Sequence, residues 1–300
     1  MNTDGIFLKF DYLSYDDITA IDFDKTWLCL PVGPYEQYGR HLPVSTGIMI
    51  ARYLCESVCE SNKIEKSDLK CLEGPVLPFA TAPISEGIGA VPQLSPKTFS
   101  DGLSELLLQF AGAGFKNILL ISHHFDLKFI KSVMNAISAC EARYPGINII
   151  EPLSAYYYSG EYNKAIADFL KLKKFSDRKE DEIFKIYEHV DFKSEIHADV
   201  KETSLMLYLL PRAVKSEKLP HLKPFVINPT AEFLKMNFTY KNMKSPDGYI
   251  GTPAKASVYF GESIFKMLRN HLVKVYQNIS RGQKPETSLP LHIKAILTVL

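Results

Sequence analysis

Short apolar runs alternate with helical segments through the first half of the chain, and this alternation limits the fold more than any other feature. Four runs have the length and composition of buried strands: Trp27–Val32, Leu72–Pro78, Asn117–Ile121 and Ile147–Ile150. Helical spacing or helix-start signals mark three segments: Ile48–Glu60, Pro96–Ala113 and about Leu127–Tyr144. Apolar strands that alternate with helices are typical of a parallel sheet covered on both faces. The sequence therefore predicts an α/β fold with three αβα layers and a mainly parallel sheet.

A charge-rich segment at about residues 161–192 departs from this alternation. Its acidic and basic residues are interleaved, which favours a solvated helical insertion over a nucleic-acid patch, and such an insertion could also act as a lid. Just before it, Tyr156, Tyr157 and Tyr158 either end a strand and pack on the core or form the wall of a pocket. Helical periodicity returns in Ser257–Asn278. Because no stretch has the composition of a linker, we expect a single domain over residues 1–300.

Composition and charge indicate which kinds of binding partner are not expected. Hydrophobic residues make up 46% of the chain, which is enough for a sizeable core, and the formal net charge is only +1. That balance gives no electrostatic reason to expect nucleic acid or a membrane surface as a partner. No apolar run approaches the ~20 residues that cross a bilayer, and the N-terminus lacks the basic and apolar regions of a signal peptide.

Five cysteines form an odd set without a CxxC pair: Cys29, Cys55, Cys59, Cys71 and Cys140. Cys55 and Cys59 are four residues apart on a predicted helix, a spacing that a metal could use, but the sequence shows no second pair of ligands nearby. Disulfides are rare in the cytosol, where thiols are kept reduced. We therefore expect all five cysteines to be reduced and mostly buried, and the protein to be cytoplasmic.

A carboxylate, an imidazole and a phenol crowd into the turn that follows the strand Trp27–Val32. Glu36, Tyr38 and His41 lie there among several glycines and prolines, in the segment Leu30–Gly47. Open α/β sheets bind their ligands beyond the carboxyl ends of the strands. This turn therefore lies where a functional site is expected.

A second polar cluster follows the strand Asn117–Ile121 and contains His123, His124 and Asp126. Two imidazoles and a carboxylate at the end of a strand suit metal ligation or acid–base chemistry. The alternative is structural: the two histidines cap the strand and form hydrogen bonds with the backbone. Spacing alone does not separate these two interpretations.

A third cluster lies within His197–Tyr208, where Glu202, Thr203 and Ser204 precede an apolar helical stretch. Thr203 or Ser204 could be the N-cap of that helix, beside a glutamate whose charge the helix dipole favours. The same glutamate could instead belong to a catalytic site together with His197.

All three clusters resemble signature motifs of the creatininase family of metal-dependent amidohydrolases. The first family motif runs Leu-Pro-x-Gly-x-x-Glu-Gln-His-Gly-x-His-Leu-Pro-x-x-Thr-Asp. The segment Leu30–Gly47 departs from it at two metal-ligand positions, where Tyr38 replaces His and Gly47 replaces Asp. The second motif, Gly-His followed by Gly-Gly-Asn or by Tyr-Glu, aligns with His123–Asp126, so a histidine replaces its glycine. The third motif, His-Ala-Gly-x-x-Glu-Thr-Ser-x-Met, differs only at Asp199.

This resemblance implies a creatininase-like fold over about residues 25–280 and assigns roles to individual residues. Two positions correspond to metal ligands of the family, Glu36 and His124. Asp126 takes the position of a glutamate ligand, Glu202 lines the metal site, and His197 handles protons near the substrate.

The two substitutions change the metal site that the resemblance implies. Gly47 has no side chain that could bridge two ions, and Tyr38 is a poor ligand near neutrality because a phenol titrates near ~10. We therefore expect at most one divalent ion, zinc or manganese. Its ligands would be Glu36, His124 and either Asp126 or Glu202, with water in the fourth position. The alternative is a site without metal, in which Tyr38 and His197 are the remaining acid–base groups.

The leading hypothesis is a hydrolase that cleaves a C–N bond of a small, non-peptide amide, cyclic amides included. Its catalytic residues would be His197, Glu202 and Tyr38. An amide-forming acyl-transfer enzyme on the same fold is one alternative, and a metal-free relative that only binds a ligand is another. The family also implies a homo-oligomer, a hexamer in its known members, and an aromatic content of 12% suits a buried interface.

Overall fold

The computed structural model describes residues 9–64, 70–86, 91–174, 179–228, 231–232, 239–245, 247–281, 283 and 288–300. Four strands form a sheet: β1 (Thr26–Pro31), β2 (Lys70–Glu73), β3 (Asn117–Ile121) and β4 (Asn148–Ile150). Their order across the sheet is β2–β1–β3–β4, and every pairing is parallel. Leu28 of β1 pairs with Leu72 on one side and with Ile118 on the other. The parallel sheet predicted from the sequence is confirmed.

Helices connect and cover the strands. The α-helices of the described residues are α1 (Tyr15–Thr19), α2 (Thr46–Ile64), α3 (Pro96–Ala113), α4 (Leu127–Arg143), α5 (Pro152–Tyr158), α6 (Glu161–Lys174), α7 (Val200–Leu209), α8 (Val258–Ser280) and α9 (Leu291–Val299). Short 3-10 helices span Phe10–Tyr12, Pro83–Ser85, Lys179–Tyr187, Pro211–Ala213, Ser216–His221 and Pro253–Lys255.

The core lies in two layers, because successive side chains of a strand point to opposite faces of the sheet. Trp27 and Cys29 of β1 pack on one face in a buried cluster with residues of α2, α7 and α8. Leu28 and Leu30 pack on the other face with residues of α3 and α4, and Ile293 of α9 joins that second cluster. The protein is therefore an α/β fold with three αβα layers, as the alternation of strands and helices predicts.

The second strand is shorter than the sequence predicts. The apolar run extends to Pro78, but β2 ends at Glu73. Gly74 and Pro75 follow directly, and proline cannot donate a hydrogen bond to a strand ladder. The chain touches the sheet once more, where Leu77 forms an isolated bridge with Val32.

The three consecutive tyrosines do not end a strand, so that interpretation is wrong. Tyr156, Tyr157 and Tyr158 form the last turn of α5, which begins at Pro152 after the N-cap Glu151. Proline at the first helical position and an acidic N-cap are helix-start signals that the sequence contains. The charged segment that follows forms α6 and the 3-10 helix Lys179–Tyr187, while residues 175–178 lie outside the described part of the chain.

The expectation that all five cysteines are reduced is also wrong. Cys59 of α2 and Cys71 of β2 form a disulfide, whereas Cys29, Cys55 and Cys140 are buried thiols. The two partners are 12 residues apart in sequence and no CxxC motif marks them. They meet because the α2 crossover places β2 beside β1 under the helix.

Within the part of the chain that the structure describes, no helix combines the length and the apolar character needed to cross a bilayer.

Glu151 places a titratable carboxyl group in the core. Its carboxylate caps α5 by accepting hydrogen bonds from the backbone N–H of Leu153 at 3.2 Å and of Ser154 at 3.1 Å. The side chain is almost fully buried, and this burial raises the pKa of Glu151 to about 7 although the N–H groups favour the carboxylate. The folded state therefore binds this proton more tightly than the unfolded state. The resulting stabilisation is complete below an unfolded pKa of 4.5 and is lost as the pH rises through about 7.

We predict that Glu151→Gln removes a pH-dependent part of the stability, because the amide oxygen still caps the helix but does not ionise. The free energy of unfolding of the variant, relative to the natural chain, should rise between pH 5 and pH 8 by up to about 3 kcal/mol. Urea unfolding at several pH values measures this difference. Glu161→Gln, at an exposed glutamate that begins α6, is the control and should show no such trend. A difference that stays constant with pH for Glu151→Gln would contradict the assignment.

Candidate active site

The sheet order places two loops from the first half of the chain side by side. The chain leaves β1 through α2 towards β2 on one side, then returns through α3 to β3 on the other side of β1. The crevice between β1 and β3 is therefore the point at which the strand order reverses, where open α/β sheets bind ligands. Glu36 lies in the loop after β1, and His123 and His124 follow β3 directly.

Glu36 and His124 meet across this crevice. The Oε1 atom of Glu36 and the Nδ1 atom of His124 are 2.8 Å apart, and both side chains are buried. Ser85 donates a hydrogen bond of 3.3 Å to the other oxygen, Oε2. Burial alone would raise the pKa of Glu36, but the positive charges of His124 and His197 lower it to about 2. Burial likewise opposes the charge on His124, yet the carboxylate of Glu36 raises the pKa of that imidazole. Each partner of the pair therefore favours the charged form of the other.

A turn before α7 positions the residues of the third motif at the crevice. Ala198 has a left-handed backbone with φ of 45°, and its N–H donates a hydrogen bond of 2.6 Å to Oε2 of Glu202. Asp199 is the N-cap of α7, because its Oδ1 accepts hydrogen bonds from Lys201 N at 2.8 Å and Glu202 N at 2.9 Å. The alternative that Thr203 or Ser204 caps this helix is therefore wrong. An aspartate three residues before a glutamate is a helix-start signal, and it marks this cap in the sequence.

Thr203 and Ser204, the next two residues of α7, fix the position of the helix through hydrogen bonds. Thr203 Oγ1 lies 3.0 Å from Nε2 of His41, whose pKa burial lowers to about 4, so that this imidazole is neutral. Ser204 accepts a hydrogen bond of 3.0 Å from the backbone N–H of Ser257. Gly261 of α8 lies so close to the Ser204 carbonyl that a Cβ there would overlap it. This close approach of the two helices holds Glu202 at the crevice.

His197 is oriented by its neighbours. Its Nε2 lies 2.7 Å from the carbonyl oxygen of Gln37, which can only accept, so Nε2 carries a proton and donates it. Its Nδ1 lies 3.9 Å from Oε2 of Glu202. The rings of Tyr38 and Tyr240 stack on the imidazole, with centroids 4.4 Å and 4.9 Å away. Nδ1 is therefore the nitrogen of His197 that can take up and release a proton. No motif marks Tyr240, and sequence reasoning missed it.

One cavity of about 270 Å³ lies at this edge of the sheet. Five polar residues of the predicted motifs or next to them line it: His123, His124, Asp126, His197 and Glu202. The rest of its wall is mostly aromatic and aliphatic, with Phe125, Tyr157, Tyr158, Tyr240 and Met243, and it also includes the charged Glu86, Lys128 and Glu232. Tyr157 and Tyr158 thus contribute to the wall of a pocket, as one interpretation of the tyrosine run predicts.

His123 is a further polar group of the cavity. Its Nδ1 lies 3.3 Å from Oε1 of Glu202, whereas its Nε2 has no hydrogen-bond partner among the described residues. Burial would raise the pKa of Glu202, but the hydrogen bond from His123 and the charges of His197 and His123 lower it. The pair of histidines after a strand signals His123 in the sequence, although only His124 was assigned a role.

Asp126 serves the helix that follows it. Its Oδ1 accepts hydrogen bonds from Lys128 N at 2.8 Å and from Phe129 N at 3.2 Å, which makes Asp126 the N-cap of α4. Burial raises the pKa of this carboxyl against the charges and N–H groups that lower it. One of its two oxygens is therefore committed to the backbone, although the residue also lines the cavity.

Tyr38 and Gly47 form one steric unit. The phenol is buried, and a Cβ on Gly47 would overlap its hydroxyl oxygen. Burial and the negative charges of Glu36 and Glu202 raise the pKa of Tyr38 well above its ordinary value, so the phenol is neutral. A tyrosine at position 38 thus fills the space into which a longer side chain at position 47 would extend.

Two side chains of this crevice, Glu36 and His124, have the chemistry of ligands for a divalent ion. Nε2 of His124 is buried and has no hydrogen-bond partner among the described residues, and Oε1 of the buried Glu36 lies 2.8 Å from the other ring nitrogen, Nδ1, which suits ligands of a cation. Tyr38 and Gly47 offer no anionic donor for a second ion. Within the described chain, no three carboxylate or imidazole side chains bring ligand atoms within 4.8 Å of one another. A third ligand from Asp126 or Glu202 therefore stays a prediction.

Known proteins share this architecture. A model of the creatininase family, described as creatinine amidohydrolase, matches residues 11–276. The solved structure titled "Creatininase Mn" is 18% identical, with a TM-score of 0.67 over 90% of this chain and 98% of that one. A mutant creatininase of Zn–Zn type is 18% identical, with a TM-score of 0.63 over 90% and 97%. A putative creatinine amidohydrolase from Bacteroides fragilis is 17% identical, with a TM-score of 0.64 over 93% and 98%. No curated protein gives a significant match.

We predict a strong coupling between positions 38 and 47. Gly47→Ala should destabilise the fold by about 1–3 kcal/mol, because the added methyl group overlaps the phenol oxygen. In a Tyr38→Phe background much of this cost should disappear, since the ring carbon Cζ would be 3.6 Å from the new Cβ and the closest remaining atom would be the backbone oxygen of His123, at 3.1 Å. Urea unfolding of the two single variants and the double variant measures the coupling.

Gly102→Ala is the matched control, because a Cβ there meets nothing within 4 Å in α3. It should stabilise the helix by up to ~1 kcal/mol in both backgrounds. Additive effects of Tyr38→Phe and Gly47→Ala would show that the two positions are independent.

Proposed function

The chain belongs to the creatininase family, and from that membership we propose that it is a hydrolase of a C–N bond in a small, non-peptide amide. One observation carries the proposal: the Glu36–His124 pair, Glu202 and His197 converge on the crevice between β1 and β3. A nucleophile site, a proton carrier and a cavity for the substrate are then adjacent, which is what hydrolysis of an amide requires.

A single divalent ion, zinc or manganese, would be held by Glu36 and His124, with Glu202 or Asp126 as the third ligand. Such an ion supplies a polarised carbonyl and an activated water. The support from relatives is that solved creatininases are titled as manganese and zinc forms. The support from this chain is the buried Nε2 atom of His124, which no other described group satisfies, beside the buried carboxylate of Glu36.

His197 is the proton carrier of the proposed reaction. Because Nε2 donates to the Gln37 carbonyl, only Nδ1 can accept a proton from the attacking water and return it to the leaving nitrogen. Glu202 stabilises the imidazolium that forms in between, since its carboxylate lies 3.9 Å from that nitrogen. The stacked rings of Tyr38 and Tyr240 keep the imidazole in this orientation.

The cavity argues for a compact substrate. A volume of about 270 Å³ lies at the lower end of ligand pockets and leaves no room for a polypeptide. Phe125, Tyr157 and Tyr240 give it flat aromatic walls, which suit a planar amide or a small ring. We therefore favour cyclic amides over long open chains as substrates.

A metal-free reaction is the second candidate, because one observation favours it. The neutral phenol of Tyr38 stacks on His197 and lies beside Glu36, so an acid and a base are adjacent without any ion. Activity that survives complete removal of metal would favour this route.

We place the reaction in a cytoplasmic homo-oligomer, in which the Cys59–Cys71 pair would be kept reduced. Large apolar side chains remain exposed on the chain, among them Tyr12, Phe79, Tyr259 and Leu291, and such surface is typical of interfaces between subunits. The mass in solution, measured by light scattering, is the direct check of this assembly.

We predict hydrolysis of at least one small amide by the manganese- or zinc-loaded chain, and its loss on removal of the metal. Creatinine and a panel of cyclic and open-chain amides are the substrates, and mass spectrometry detects the products. His197→Gln should lower kcat by about 10²–10⁴-fold, the usual contribution of a general acid–base group. His124→Ala should abolish turnover and metal binding together, whereas His221→Ala, at an exposed histidine, should change neither. A folded, metal-loaded chain that turns over none of these amides would favour the binding-only alternative.

We also predict that the natural chain binds at most one manganese ion. Manganese is the probe because it prefers oxygen and nitrogen ligands to thiolates. Elemental analysis after gel filtration should give one ion or fewer per chain, and Tyr38→Phe should leave this number unchanged. The double variant Tyr38→His/Gly47→Asp restores two family ligands and makes room for the second, so its content should rise towards two. Two well-bound manganese ions in the natural chain would show that our interpretation of the two substitutions is wrong.

A further inference from the structure

Four of the five cysteines converge on one buried spot between β1, β2 and α2. The Sγ atoms of Cys29, Cys55 and Cys59 all lie within 4.8 Å of one another. Cys71 is bonded to Cys59, and its Sγ lies 3.2 Å from that of Cys29. The four side chains are at most 9% exposed. The cavity of the candidate active site includes none of them.

The disulfide explains only half of this cluster. It uses Cys59 and Cys71, whereas Cys29 and Cys55 remain thiols beside it. Cys55 donates a hydrogen bond of 3.2 Å to the backbone carbonyl of Cys29, so the helix and the strand are already joined at this spot. Four sulfur atoms at one spot are more than the packing of a core requires, and Cys140 shows the alternative, a single cysteine buried among apolar residues.

The geometry matches a soft metal site. The helix α2 presents Cys55 and Cys59 one turn apart, and the adjacent parallel strands present Cys29 and Cys71 from the sheet below. Zinc takes four thiolates in a tetrahedron with Zn–S bonds of about 2.3 Å, which separates the sulfur atoms by about 3.8 Å. Cys29 and Cys71 of the sheet thus provide the second pair of ligands, which the sequence around Cys55 and Cys59 lacks.

We propose that Cys29, Cys55, Cys59 and Cys71 form a structural zinc site in the reduced chain. Opening the Cys59–Cys71 disulfide requires two electrons, which a thiol or phosphine reductant supplies, and yields two further thiols. Zinc then replaces the protons of the four thiols and releases them to solvent. The disulfide and the bound ion exclude each other, because both use the sulfur atoms of Cys59 and Cys71.

The proposed site would hold together the elements that carry the first motif. β1 leads directly into the loop with Glu36, and α2 begins at Thr46, next to Gly47. An ion bound by both elements and by β2 stabilises their arrangement without touching the substrate. The site is therefore separate from the active-site ion and differs from it in ligand chemistry.

Cobalt and zinc binding by the full chain test this proposal. The chain is reduced with a phosphine without oxygen, and cobalt is added as a spectroscopic substitute for zinc. The reduced natural chain should show thiolate-to-cobalt charge-transfer bands and the strong visible absorption of tetrahedral cobalt. Elemental analysis should give one more zinc per chain than in the unreduced protein, and zinc should raise the melting temperature of the reduced form.

Matched variants decide between a metal site and a packed cluster. Cys29→Ser and Cys55→Ser each remove one sulfur ligand but retain the two cysteines of the disulfide, so their oxidised forms can be checked for folding. Both should lose the cobalt bands and the additional zinc, whereas Cys140→Ser, at a cysteine in the opposite layer, should keep them. The proposal is overturned if the reduced natural chain binds no more zinc than Cys29→Ser, or if its cobalt spectrum lacks thiolate bands.

Discussion

The parallel pairing of β1 with β3 is the contact on which the rest of the site depends. The register that sets Pro31 opposite Ile121 ends both strands at the same level, so the loops with Glu36 and His124 begin side by side. The crossovers through α2 and α3 lie on opposite faces of the sheet, which leaves the crevice between these strands open. A buried carboxylate and imidazole can then be 2.8 Å apart although 88 residues separate them in the chain.

The phenol of Tyr38 fills the space beside Gly47, and this packing determines the charge of the crevice. A neutral phenol occupies the volume into which a side chain at position 47 would extend, so the crevice has one carboxylate fewer than the family motif implies. The remaining carboxylates, Glu36 and Glu202, each lie beside an imidazole. Two cations at close range repel strongly without a bridging anion, which is the reason that the proposed site holds a single ion.

Sequence patterns predict the parts of this protein whose cause is local. Continuous apolar runs gave β1 and β3 to within a residue, and Ser95-Pro96 marked the start of α3. The motifs also predicted that Glu36, His124 and Glu202 lie at the strand and helix ends that face one crevice. The sequence contains no local pattern that predicts contacts between distant segments. Tyr240 stacks on His197 from a segment without a motif, and Cys71 reaches α2 only because β2 pairs with β1.

Each departure from the family signatures has a physical counterpart beside it. The phenol of Tyr38 occupies the space that a side chain at position 47 would need, and His123 lies 3.3 Å from the carboxylate of Glu202. Asp199 caps α7 and lies 3.4 Å from the buried ammonium of Lys201, which also donates to the Glu195 carbonyl. Unpaired charges of this kind would cost several kcal/mol each in a core. Buried charges need such partners whether or not the crevice is catalytic, so the pairings explain the stability of the altered crevice, and its proposed activity rests on the Glu36–His124 pair and on the orientation of His197.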